Sequence, residues 1–143
     1  MTDTLTPERR AGLLARAVAE EVVDLAERVV ALVGPPTILA GPDVGMVMLQ
    51  VREPVADERF HLGEVVVTSA EVDLDGARGW SMRMGRDRVA TLAAAVCDAA
   101  AELMVLADEI EALCVRTAAG LAAADHDEWT RLAPTAVSFE GME

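Results

Sequence analysis

The sequence predicts an α+β fold: a small antiparallel β-meander of three to five strands, including a C-terminal strand, packed against an N-terminal helix or helix pair and a long heptad-like helix. Three observations predict it. Apolar residues recur at three- and four-residue steps near both ends of the chain but at two-residue steps in the middle. Asp75-Gly76 stands between two alternating runs, a strong two-residue hairpin signal. The period then switches abruptly back to helical at Gly85-Arg86-Asp87.

Each element follows in order. Thr6-Pro7-Glu8 offers a hydroxyl cap, a proline in the first turn and an acid near the positive end of the helix dipole. Ala11, Ala15, Val18, Val22, Leu25, Val29 and Leu32 then share one helical face, in one helix or in two, until Gly34-Pro35-Pro36 ends the pattern. Residues 37–40 read as a short strand, residues 41–45 as its turn, and residues 46–51 as a second strand. In that second strand Val47, Leu49 and Val51 oppose Met46, Met48 and Gln50. Residues 53–59 carry Pro54 and several acids and are expected to be an exposed loop.

Between residues 64 and 74, Val66, Thr68, Ala70, Val72 and Leu74 alternate inward against Ser69, Glu71 and Asp73. On the return strand Trp80, Met82 and Met84 are expected to face the core. Val89, Leu92, Val96, Ala99, Leu103, Leu106, Ile110 and Leu113 form a heptad-like stripe. It either lies against another helix, within the fold or on a partner, or covers the sheet and meets the first helix. Asp125-His126-Asp127-Glu128 suggests the cap of a short last helix, and Val137 and Phe139 alternate with Ser138 and Glu140 as the terminal strand.

Residues 1–143 are read as one domain, long enough for a core without disulfides or metals. Aromatic residues make up only 3%, so that core must come from Val, Leu, Ala and Met. A net charge of −13 repels phosphate backbones and anionic lipid, which argues against nucleic acid and membranes as partners. The same charge disfavours an anionic ligand for the chain alone and favours a basic partner protein. Cys97 and Cys114 lack metal-ligand spacing and are expected as buried reduced thiols. The first residues carry no secretory signature, and acids interrupt every apolar run, so a soluble cytoplasmic protein is expected.

The chemistry legible in the residues is thin. His61 and His126 are isolated, Ser69 and Ser81 sit on strands outside any nucleophile-elbow pattern, and no phosphate-binding glycine motif occurs. No catalytic residue, no metal ligand and no cofactor is assigned to this chain. One constellation stands out: Arg83, Arg86 and Arg88 flank Gly85 and Asp87 at a helix start. It admits two readings. The arginines and helix N-terminus contact a phosphate or phosphonate, or form part of an interface. Alternatively, Gly85 makes a left-handed turn, Asp87 caps the helix, and the arginines are solvated or paired.

The ordered series Phe60, Leu62-Gly63-Glu64, Thr68, Asp75-Gly76, Gly79-Trp80 and Gly85-Arg86-Asp87 resembles the G subunit (PhnG) family of the carbon–phosphorus lyase core complex. Gly45-Met46-Val47 and the ending Thr135-Ala136-Val137-Ser138-Phe139, with Met142, are similar as well. The resemblance covers roughly residues 40 to 100 plus the C-terminus. Pro54-Val55-Ala56-Asp57 replaces the family's glycine-rich loop, Asp43-Val44-Gly45 replaces its Glu-Thr-Gly, and a basic tail is not seen after Glu143. These departures mark a divergent member.

The resemblance implies an accessory subunit that assembles with partners H, I and J. With H and I it supports displacement of adenine from a purine nucleoside triphosphate by an alkylphosphonate; radical C–P cleavage belongs to J. Nucleotide and phosphonate would then meet this chain only through the complex, a multi-subunit transferase. Two other classes stay open: a scaffold module unrelated to phosphonates that uses the helical stripe, and a small enzyme using His61 or Asp87 with the arginines.

Overall fold

A computed structural model describes residues 5–137 of the chain. These form helices α1 (Pro7–Leu14) and α2 (Ala19–Val33), strands β1 (Thr37–Arg52), β2 (Arg59–Leu74) and β3 (Ala77–Met84), then helices α3 (Arg88–Glu102) and α4 (Ala107–Leu132). The α+β meander expected from the sequence is present, with antiparallel strands in the order β1-β2-β3. The expected C-terminal strand lies, from Ser138 on, outside the described residues.

The N-terminal pattern divides into two helices. Thr6 caps the first as expected, its Oγ1 accepting from the Arg9 amide at 3.2 Å. Leu14, Ala17, Val22, Leu25, Ala26 and Val29 are buried, whereas Val18 and Leu32, expected on the buried face, are exposed. No glycine or proline marks the break between Leu14 and Ala19. The residue that stabilises it comes from far along the chain and belongs to the site described below.

Residues 37–51 hold one continuous strand rather than two strands and a turn. Gly41 sits at φ +73, and a Cβ there would lie 2.3 Å from the Ser69 carbonyl oxygen. Glycine thus lets β2 come close while the chain bulges over Pro42, and pairing resumes at Asp43 opposite Ser69. The loop around Pro54 is the exposed tip of the β1–β2 hairpin, where the Glu53 carboxylate accepts from the amides of Val55 and Ala56.

In β2 the expected phase holds from Thr68 on, with Thr68, Ala70, Val72 and Leu74 buried; before it Val66, expected inward, is half-buried and Val67 is buried instead. Asp75 and Gly76, both at positive φ, form the tight turn into β3. The expectation for β3 is inverted. That turn pairs Leu74 with Ala77, Val72 with Gly79 and Ala70 with Ser81. Residues directly opposite share a face, so Gly79 and Ser81 point inward while Trp80 and Met84 lie on the other side, exposed.

Small residues let α3 settle against that inner face. Ala90, Ala93, Ala94, Ala95, Ala99 and Ala100 are all buried. At Gly79 the approach is so close that a Cβ would fall 1.9 Å from the Ala95 carbonyl oxygen. The long heptad-like helix is two helices. Met104 and Leu106, at φ +59 and +49, turn the chain between α3 and α4. The redirection keeps Leu103, Val105 and Leu106 packed on the core while α4 adds Ile110, Leu113 and Cys114 to it. Asp125-His126-Asp127-Glu128 lies inside α4 and caps nothing.

Cys97 and Cys114 are buried and free, as expected. Burial pushes the Cys97 thiol up to about 12 and the Cys114 thiol up to about 11, so both stay protonated at neutral pH. No helix among the described residues is long and apolar enough to cross a membrane.

Candidate functional site

The polar residues worth following converge where α1, α3 and β3 meet. Asp98 is the lone acid in the buried alanine face of α3 and is 8% exposed. Its Oδ1 accepts from Arg10 Nε of α1 at 2.8 Å, and its Oδ2 accepts from the Trp80 amide of β3 at 3.0 Å. Arg10 Nη2 donates to Glu102 Oε1 at 2.6 Å. Burial alone would lower the Arg10 pKa; the hydrogen bonds and charges of Glu102 and Asp98 outweigh it and hold the value above that of ordinary arginine. Both carboxylate oxygens of Asp98 are occupied, so the cluster acts as a clamp between layers. Sequence reasoning passed over Arg10. The signal available was Asp98 itself, an acid in an apolar helix face that demands a buried cation.

Arg83 belongs to the same seam. Its side chain reaches the α1–α2 junction, where Nη1 donates to the Leu14 carbonyl at 2.6 Å and Nη2 to the Ala17 carbonyl at 2.8 Å. Carbonyls released where a helix stops need donors. Arg83 donates from β3 to the Leu14 carbonyl at the end of α1 and to the Ala17 carbonyl of the linker, and so stabilises a break that holds neither glycine nor proline. Burial lowers the Arg83 pKa from its ordinary value, and the charge of Asp87 opposes that shift. Arg83→Met keeps the apolar stem and removes both bonds. It is expected to cost about 1.5–3 kcal/mol, the range for hydrogen bonds from a charged donor, read as a lower denaturant midpoint with unchanged slope.

The other members of the arginine turn lie outward. Gly85 adopts φ +94 and its amide donates to the Val66 carbonyl at 2.8 Å. Thr68 Oγ1 donates to the Gly85 carbonyl at 2.8 Å, and Asp87 Oδ1 caps α3 by accepting from the Ala90 amide at 2.9 Å. Arg86 and Arg88 are exposed on either side of that cap. The turn thus places Gly85, Arg86, Asp87 and Arg88 together, with Arg83 directed away into the fold. His61 and His126 are both exposed. Among the described residues no group of three or more His, Cys, Asp or Glu side chains could hold a metal ion.

The cavities are shallow clefts between helices. One of about 240 Å³ is lined by the ion-paired α2–α4 residues Arg28, Glu109, Arg116 and Glu21, and an apolar one of about 300 Å³ lies between α2 and α3 at Val23, Val30 and Leu92.

The larger surface feature is the sheet. Helix α3 covers the half of β2 that pairs with β3, and β3 ends at Met84 opposite Val67. Beyond that point the β1–β2 hairpin runs on alone. Met46, Met48 and Leu62 are 59%, 60% and 63% exposed there, and Trp80 and Met84 of the outer sheet face are 48% and 75% exposed. Val66, bonded to the Gly85 amide, pairs with Met46, so the arginine turn stands at the root of this bare hairpin. Met46 and Met48 continue the face that α3 covers further along, whereas Trp80 and Met84 lie on the opposite face; exposed apolar surface of this kind marks association sites.

The fold and surface together define an α+β protein whose polar cluster holds layers together and whose apolar sheet surface is left uncovered. Residues 7–143 match the family described as Phosphonate metabolism protein PhnG, and the chain belongs to that family. It is also similar to a protein of Rhizobium meliloti (strain 1021) named alpha-D-ribose 1-methylphosphonate 5-triphosphate synthase subunit PhnG, with 33% identity over 103 residues. That match covers 71% of this chain and 66% of the relative's length.

Proposed function

We propose that this chain is an accessory subunit of the carbon–phosphorus lyase core complex in organic phosphonate catabolism. In this reading it works in the cytoplasm with the H, I and J subunits. With H and I it supports formation of alpha-D-ribose 1-methylphosphonate 5-triphosphate from ATP and an alkylphosphonate. The observation that carries the reading is the family match across residues 7–143. The printed name of the Rhizobium meliloti relative, a synthase subunit, supports it. The bare apolar sheet is consistent with it, because a subunit needs a surface that another chain covers.

The arginine turn has a place in the same proposal. Arg86 and Arg88, exposed at the start of α3 and beside the bare hairpin, contact a partner subunit or an anion held by one. Arg83 acts behind them as a structural support.

Activity separates the readings. The purified chain with ATP and methylphosphonate is expected to release no adenine, and adding it to H and I is expected to raise adenine release at least tenfold over H and I alone. Turnover by the lone chain, or full activity of H and I without it, would contradict the proposal. In the same assay Arg86→Ala is expected to reduce activity or assembly. Full retention of both would remove the contact assigned to the turn.

A further inference from the structure

Strand β1 lies at the edge of the sheet, and among the described residues no strand pairs with its outer side. Proteins ordinarily guard such edges with charge, proline and bulges, because unpaired backbone groups recruit other strands. Here those guards stand only at the two ends. Register shifts between Ile38 and Asp43, with Pro42, disrupt the first part of β1. A shift at Leu49/Gln50, followed by Arg52 and Glu53, disrupts the last part. Between them residues 44–49, Val-Gly-Met-Val-Met-Leu, hold neither charge nor proline and pair with β2 in unbroken register, from Val44 opposite Thr68 to Leu49 opposite Gly63. Met46, Met48 and Leu49 are all exposed.

The occupant follows from charge and backbone geometry. A second copy would bring another −13 to the contact, which opposes association. Arg86 and Arg88 stand at the root of the hairpin, but the segment itself and the β2 residues opposite it, 63–68, carry a single charge, that of Glu64. Asp43 precedes it and Glu64 pairs with Met48, while Arg52 is already engaged by Asp57 at 3.0 Å. Complementarity therefore calls for cations on the other side.

We propose that residues 44–49 of β1 receive, as a fourth strand, an extended segment of a different subunit that is apolar at alternate positions and flanked by Lys or Arg. Main-chain pairing supplies the register, and Met46, Met48 and Leu49 supply the apolar contacts. The inference rests on the reading of this chain as a subunit, and names the surface through which it joins.

The test is quantitative capture of tagged chain by co-expressed H, I and J. Met46→Lys with Met48→Lys is expected to weaken capture at least tenfold while circular dichroism and unfolding midpoint of the isolated chain stay within a few degrees of the unaltered protein. Hydrogen exchange on the unaltered chain gives a readout that needs no variant: complex formation is expected to slow the amides within residues 44–49 at least tenfold. Capture of the double variant at full strength, or unchanged exchange in an assembled complex, would overturn the edge-docking proposal and leave the subunit reading standing. An isolated chain that dimerises through Met46 and Met48 would overturn the choice of a different subunit. Failure of H, I and J to capture even the unaltered chain would sink the subunit reading, and this inference with it.

Discussion

Gly79→Ala is expected to be among the most damaging single-methyl additions in this chain. The new Cβ would sit 1.9 Å from the Ala95 carbonyl oxygen, 2.7 Å from the Ala99 amide nitrogen and 2.8 Å from the Ala99 Cβ. Two of those atoms are backbone of α3, so no side-chain rotation relieves the clash; β3 and α3 must move apart. Overpacking of a tight core costs about 1–3 kcal/mol and occasionally more. With rigid backbone on the opposing side, a loss of about 3 kcal/mol or above is expected, which for a domain of this size lowers the thermal midpoint by roughly 6–12 °C. Gly45→Ala is the control, since its Cβ would meet nothing within 4 Å. A Gly79→Ala midpoint within 2 °C of the unaltered protein would contradict the observed helix-to-sheet contact.

Asp98→Ala is expected to come next. The change leaves Arg10, itself 8% exposed, without its buried partner and leaves the Trp80 amide without an acceptor. Breaking a buried pair from one side costs about 3–5 kcal/mol because the surviving charge stays desolvated. Glu102 remains as a partner for Arg10 at 2.6 Å, so the lower part of that range is expected. Glu102→Ala should cost under about 1 kcal/mol, since its side chain is half exposed and Asp98 keeps Arg10 satisfied. Urea titrations of the two variants check the order. Equal losses, or a smaller loss for Asp98→Ala, would contradict the clamp.

Much of the fold was legible because local chemistry and tertiary structure agree there. The Thr6 cap, the alternation of Thr68 to Leu74, the Asp75-Gly76 turn and the Gly85-Asp87 start of α3 are each set by residues within one or two turns of chain. The phase of β3 was misread although the sequence contained it. A two-residue turn pairs Leu74 with Ala77, so an inward Leu74 places Gly79 and Ser81 inward; hydrophobicity favoured Trp80, Met82 and Met84 instead. Bulk counts for less at that position than room, because α3 leaves space there only for hydrogen.

The helix breaks were not legible, and for a physical reason. The α1–α2 junction is stabilised by Arg83, 66 residues or more along the chain, and the α3–α4 turn uses Met104 and Leu106 at positive φ rather than glycine. A heptad-like stripe persists across that turn since both helices rest on one core. For the candidate site, the arginine turn was found by composition, and its division into an inward Arg83 and outward Arg86 and Arg88 required the structure. The bare hairpin was hidden by the same reasoning that found its strands: alternation signals one buried face, and neither face of residues 44–49 is fully covered.

Obligate association is the claim on which the functional reading depends, and co-expression with the H, I and J subunits tests it most directly. Size-exclusion chromatography with light scattering on the purified material should show this chain leaving the column in a single heteromeric peak, in fixed stoichiometry with its partners. A chain that elutes apart from H, I and J, while those three assemble and act without it, would contradict it.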